Sequence, residues 1–206
     1  MKNKRKKGGT ILITGGLLLL VAALLLTGYN LLDEHRAAIE TGHVLAALQL
    51  EVTDALSSSS DEGKEISDNI LHPDMEMPIT EVEGNDYIGI LEIPALQLSL
   101  PVLGTCSTTN LKIAPCCYDG SVYAGPMVIA GHNYRAHFGA LKNLTMGAQV
   151  KFTDVKGNSF LYKAVETEVL DMTAVEDMTC GEWDLTLFTC TPSGQTRLAV
   201  RCIKLG

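Results

Sequence analysis

Between Gly8 and Leu32 the chain carries no charged side chain, and Ile11 to Tyr29 is dominated by Leu, Ile, Val and Ala. A run that is apolar on every side predicts a helix able to cross the ~30 Å hydrocarbon core of a bilayer. It lacks the polar face of a helix packed on a soluble core. From Asn30 to Leu56 the pattern changes, with Leu31, Ala37, Val44, Leu45 and Leu48 recurring among Asp, Glu, Arg and Gln and no proline. That spacing predicts a helical stalk, which the serines from Ser57 to Ser60 end. Beyond it, short apolar or alternating runs predict strands: Tyr87 to Ile93, Met127 to Ala130, Gln149 to Thr153, Phe160 to Ala164, Trp183 to Thr189 and Arg197 to Lys204. Clusters of Gly, Pro, Asp or Asn separate them, and Asp154 to Asn158 reads as a hairpin turn. Periodicity alone therefore predicts a mainly β domain, a sandwich or a barrel. No internal repeat is evident.

Length and charge sharpen this organisation. The 206 residues, 46% hydrophobic and 19% charged, suit one ordinary domain with appendages. The net charge of −8 comprises +5 in residues 1–9 (Lys2, Lys4, Arg5, Lys6, Lys7) and therefore −13 in the remainder. The charge disfavours nucleic acid as a partner, because no basic face beyond that tip is available to neutralise phosphates. The five basic residues before the apolar run, with Asp33 and Glu34 after it, put the N-terminus in the cytoplasm by the positive-inside rule. A cleaved signal peptide is the rival reading, but no A-x-A-like site follows the run, which favours an uncleaved signal-anchor. From Thr53 to Asp86 there are ten acids, one base (Lys64) and two prolines (Pro73, Pro78), the composition of a solvated linker. The expected organisation is a basic tip (1–9), a transmembrane helix (10–29), a stalk (30–56), an acidic linker (57–85) and a catalytic domain (86–206) outside the cell membrane.

Candidate chemistry sits at strand ends. Leu185, Leu187 and Thr189 alternate with Thr186, Phe188 and Cys190 before Pro192, Ser193 and Gly194 break the strand, so Cys190 lies at a strand-to-loop edge. Arg197 begins the next strand, and a guanidinium there suits the stabilisation of negative charge on an attacked carbonyl. The bland alternative is a buried strand cysteine beside a surface arginine. A second strand end changes the balance: Met127 to Ala130 runs into Gly131 and His132. A Cys and a His far apart in sequence, each at a strand terminus, can converge in one site.

Together, His132, the Thr186-Leu187-Phe188-Thr189-Cys190 run and Arg197 resemble the sortases, the cysteine transpeptidases that attach proteins to the Gram-positive cell wall. Tyr87 to Pro94 and Leu98 to Val102 look like the opening strands of that domain, and His137 to Leu141 like the segment after its histidine. The resemblance spans Asp86 to Gly206. It implies a closed eight-stranded β-barrel with short connecting helices, preceded here by the transmembrane helix. It also implies catalytic roles for His132, Cys190 and Arg197, a substrate bearing an LPxTG-like C-terminal sorting signal, and an amine acceptor from a peptidoglycan precursor or a pilin lysine. Substrate-binding residues are not identifiable from the sequence.

Two departures from pilin-assembling sortases stand out. Only seven positions separate Cys190 from Arg197, and the chain ends at Gly206 with no second hydrophobic segment, which argues against a two-anchor polymerase. The linker also lacks the Asp-Pro-aromatic signature of the lids in that group. Of the six cysteines, Cys106, Cys116, Cys117, Cys180 and Cys202 remain once Cys190 is set aside; one structural disulfide and all-free thiols are both open readings. No C-x₂-C pair supports a zinc site, and no metal or cofactor is expected. His132 is preferred to His137 as the acid–base, with His137 expected to affect substrate affinity. Arg197 is preferred to Arg201, which lies about 13 Å along the same strand face; Arg201→Lys is expected to be mild. A surface cysteine protease resolving the same acyl-enzyme with water is the alternative function, and a non-catalytic tethered β-domain is a third.

Overall fold

The computed structural model describes residues 3–59 and 76–205. Residues 60–75, central to the segment read as a linker, lie outside the described residues, as do residues 1–2 and Gly206. In chain order the elements are α1 (Asn3–Ser59), β1 (Thr80–Val82), β2 (Asn85–Ile93), β3 (Leu98–Leu103), α2 (Asn110–Ile113), β4 (Cys116–Asp119), β5 (Met127–Gly131), β6 (Gln149–Asp154), β7 (Ser159–Asp171), α3 (Val175–Thr179), β8 (Leu185–Cys190) and β9 (Thr196–Lys204).

The chain divides into two units, residues 1–36 and 37–206. In the first, α1 exposes Leu12, Leu18, Leu19 and Leu25, and by length and composition this is a helix able to cross a membrane. In the second, the strands run in the order β1-β2-β3-β4-β5-β8-β9-β7-β6, and β6 pairs back onto β2. Eight strands therefore close into a mixed barrel, mainly β with short helices in its connections, and β1 adds to β2 as an outer strand. Within the barrel β5–β8 and β3–β4 are parallel and the other neighbours antiparallel.

Burial on both faces explains why the most apolar strands read as unbroken runs rather than alternations. In β5, Met127 and Ile129 point into the barrel core, while Val128 and Ala130 point outward beneath other layers. Ala130 belongs to an outer cluster in which Val44, Leu48 and Val52 of α1 pack with Tyr87, Ile90 and Leu103 on the outside of the barrel. Burial of each such side chain contributes on the order of 2 kcal/mol. The stretch read as a stalk is thus helical, and its Val44–Leu48–Val52 stripe belongs to the folded domain.

The hairpin turn read at Asp154 to Asn158 joins β6 to β7, where Thr153 faces Ser159. Asp154 is fully buried, and its Oδ1 accepts from Lys156 N (2.9 Å) and Asn158 N (2.8 Å). Its Oδ2 accepts from Asn158 Nδ2 and from the Tyr123 hydroxyl. β7 continues past the expected Ala164 to Asp171, because its second half pairs with the start of β9 through Asp171↔Thr196. β4 escapes the sequence pattern, being only four residues between Pro115 and Gly120.

The outer layer over β8 and β9 is α3, and Arg201 fastens it. The side chain of Arg201 is 2% exposed. Its Nη1 donates to Met178 O (3.0 Å) and Thr186 Oγ1 (3.0 Å), its Nη2 to Asp177 O, and its Nε to Glu168 Oε1 (2.6 Å). An ammonium has three donors on one nitrogen and could not span these acceptors as the planar fork does, so the guanidinium of Arg201 is built into the packing of α3.

Candidate active site

The register of three neighbouring strands brings the predicted residues together. β5 and β8 run parallel with Gly131 beside Thr189, so His132 leaves one strand where Cys190 ends the next. β8 and β9 are antiparallel with Cys190 directly opposite Arg197. Strands in a sheet lie about 4.8 Å apart, so the three backbones occupy one short edge. On β8 the inward set is Leu185 and Leu187, which leaves Phe188 and Cys190 on the outer face. The site therefore lies on the barrel's outside, beside α3.

A groove of about 410 Å³ is lined there by Cys190, His132 and Arg197, all three partly exposed. Its apolar lining includes Leu111, Ala130, Val175, Met178 and Phe188. Tyr118 meets Phe188 edge-on, with ring centroids 5.2 Å apart.

Each member is held by local structure. Gly131 is required before the histidine, since a Cβ at that position would lie 2.4 Å from the Phe138 ring. Beyond it the His132 imidazole stacks on Tyr134 at 3.9 Å, with an interplanar angle of 5°. The β8–β9 turn closes through Thr191 N to Thr196 O (3.0 Å) and Gly194 N to Thr191 O (2.8 Å), with Gly194 at φ +73°. Arg197 Nη1 donates to the Gly194 and Thr196 carbonyls of that turn (3.1 and 3.2 Å). Asp171 stands nearby, its carboxyl held below the usual carboxylate range chiefly by hydrogen bonds from Thr173, with Arg197 adding a smaller effect.

His137, the other candidate in this loop, is fully buried and does not line the groove. Burial, reinforced by the proximity of His132, pushes its pKa down to about 4, so it is a neutral imidazole at ordinary pH. His137 therefore stands behind the groove rather than in it. Arg201 likewise points away from the groove into its own network beneath α3.

Among the remaining cysteines, Cys106 and Cys116 form a disulfide with Cα atoms 5.0 Å apart. Cys106 lines the groove, so the bridge fastens one wall to the start of β4. Burial and the Asp119 carboxylate push the Cys117 thiol up to about 11, and burial pushes that of Cys202 up to about 12. Cys180 is exposed. Among the described residues no group of three or more His, Cys, Asp or Glu side chains is placed to hold a metal ion.

Residues 91–204 match the family model described as the sortase domain. Among solved structures, the chain is similar to sortase C1 from Streptococcus suis at 25% identity and a TM-score of 0.51, covering 58% of this chain and 73% of that one. Its fold is also similar to that of sortase C from Streptococcus pneumoniae, whose description refers to catalysis and pilin substrate specificity. There the identity is 20%, the TM-score 0.56, and the coverage 80% of this chain and 97% of that one. Sortase D5 from Clostridium perfringens matches at 22% identity and a TM-score of 0.52, over 61% of this chain and 83% of that one. No curated protein matches the sequence.

Proposed function

This chain belongs to the sortase family, and we propose that it is a membrane-anchored cysteine transpeptidase that cuts an LPxTG-like C-terminal sorting signal and transfers the acyl group to an amine. The observation that carries this reading is the register Gly131↔Thr189 and Cys190↔Arg197, which gathers a thiol, an imidazole and a guanidinium at one edge of an apolar groove. In the reaction, the Cys190 thiolate attacks the carbonyl of the residue before the scissile bond. The thiolate is favoured beside a protonated imidazole. As the C–N bond breaks, His132 gives its proton to the departing amine, leaving a thioester on Cys190. The incoming amine attacks that thioester, loses its proton to His132, and expels the Cys190 thiolate as the new amide forms, which restores the starting ion pair. Arg197 donates hydrogen bonds to the oxyanion in both halves; a single well-placed donor of this kind contributes roughly 3 kcal/mol to the transition state.

The deciding assay incubates the protein with a library of pentapeptide sorting signals, with and without an amine acceptor. A Thr–Gly cut that yields an amide-linked product in proportion to the amine is the expected outcome. Release of free acid alone, unaffected by amine, would favour the cysteine protease that uses water. Running the acceptor arm with a cell-wall-type peptide and with a lysine-bearing pilin peptide identifies the acceptor.

The apolar N-terminal part of α1 and the Lys/Arg excess ahead of it support a single-pass anchor with a cytoplasmic N-terminus. A tag placed after Gly206 should then be digested by protease added to intact protoplasts. Protection of the tag would contradict this orientation.

A further inference from the structure

The loop that carries His132 is tied to the membrane-side helix by two buried polar side chains that do not line the groove. His137 Nε2 lies 3.2 Å from Thr41 Oγ1 of α1, and that hydroxyl donates to the carbonyl of Ile113 at the end of α2 (3.3 Å). The Thr41 hydroxyl thus stands between the His137 ring and the Ile113 carbonyl, within hydrogen-bond reach of both. The other end of the loop is folded over the same imidazole: His137 N donates to Tyr134 O (3.0 Å), Phe138 N to His132 O (3.1 Å) and Gly139 N to Tyr134 O (2.8 Å). Tyr134 touches both imidazoles, stacking on His132 at 3.9 Å and tilting against His137 at 5.5 Å. Thr41 is 6% exposed and His137 fully buried, so no water competes for this bond. A pair of apolar residues would fill the same space at no desolvation cost. What a polar pair adds is direction, because a hydrogen bond fixes the imidazole's rotation about its own axis.

We propose that Thr41 and His137 form a positioning pair which sets the orientation of the His132 loop, making the segment of α1 that follows the apolar run a working part of the active site. The same hydroxyl reaches the carbonyl end of α2, whose Leu111 and Lys112 also line the groove, so one threonine contacts both the His132 loop and α2. The inference rests on the role of His132 given under Proposed function. It identifies neither residue as touching substrate; both act through His132.

The test uses the full chain in detergent micelles and compares Thr41→Val, which keeps shape but removes the hydroxyl, with Thr41→Ser, which restores it. Three quantities are read: kcat and KM for amine transfer, the pH profile of Cys190 alkylation by iodoacetamide resolved by peptide mass spectrometry, and the melting temperature. Thr41→Val is expected to lower kcat roughly ten- to a hundredfold with KM within about twofold, the range that follows from a misplaced catalytic group. Its alkylation profile should differ from that of the parent, because the imidazole beside the thiol is displaced. Thr41→Ser should recover most of the loss. An unchanged kcat and alkylation profile in Thr41→Val, or a loss that Thr41→Ser does not repair, would overturn the inference. Cys190→Ala and His132→Ala run alongside separate the two layers. If both are inactive while Thr41→Val is normal, only the positioning role falls; if either retains turnover, the site assignment falls and takes the positioning role with it.

Discussion

Cys190→Ala is expected to lower amine transfer from a sorting-signal peptide by roughly a thousandfold or more, because the residue removed supplies one of the bonds the reaction makes. Alanine at Cys117, Cys180 or Cys202 should leave most of the turnover in protein that still folds. The reason is positional. Cys190 is partly exposed at the end of β8, in the groove and opposite Arg197. Cys202 faces the barrel core with its thiol pushed up to about 12 by burial, and the Cys117 thiol sits at about 11 beside Asp119. Neither presents a useful thiolate at neutral pH. Initial rates across the variants check this, and near-normal turnover by Cys190→Ala would refute it.

Arg201→Met is expected to destabilise the domain by roughly 3 kcal/mol, since truncating a buried charge network strands its partners. Four acceptors lose their donor: Glu168, the Asp177 and Met178 carbonyls and the Thr186 hydroxyl. Glu168 and the part-buried Asp177 carbonyl recover some hydration, but Met178 and Thr186 are buried and their acceptors recover little. For a domain of this size that corresponds to a melting temperature lower by roughly 5 to 15 °C. Arg201→Lys should fall between, with one partner kept. Trp183, the sole tryptophan, lies between α3 and β8 and reports the transition by fluorescence. A melt within a degree or two of the parent would show that the network contributes nothing net.

How much of this was legible in the sequence depends on the range of the interactions involved. The ends of β5 and β8 and the start of β9 were visible because an apolar or alternating run stopped at Gly131, Cys190 and Thr196, and local chemistry sets those stops. Their convergence was not visible from the runs themselves. It depends on the parallel β5–β8 register, which joins residues some sixty positions apart, and only the family resemblance suggested it. The partners of Arg201 were not visible for a related reason. Strand periodicity assigned it correctly to the outer face with Arg197, but the outer face of β9 is partly covered, and α3, a five-residue helix without a sequence signal of its own, does the covering. The burial of His137 was likewise not visible, although it follows His132 closely. Its burial comes from α1, nearly a hundred positions upstream, and nothing in the alternation of the intervening chain encodes that contact. The helix at Asn30 to Leu56 was readable from its period, whereas the surface its apolar stripe would meet was not.

The most direct test of the central claim is the intact mass of the protein after brief exposure to a sorting-signal peptide without amine, followed by peptide mapping. The account predicts an added mass equal to the acyl fragment ending in Thr, located on Cys190, labile to hydroxylamine as a thioester is, discharged on addition of amine, and lacking in Cys190→Ala. An adduct on any other residue, or steady peptide cleavage by Cys190→Ala with no adduct at all, would contradict it.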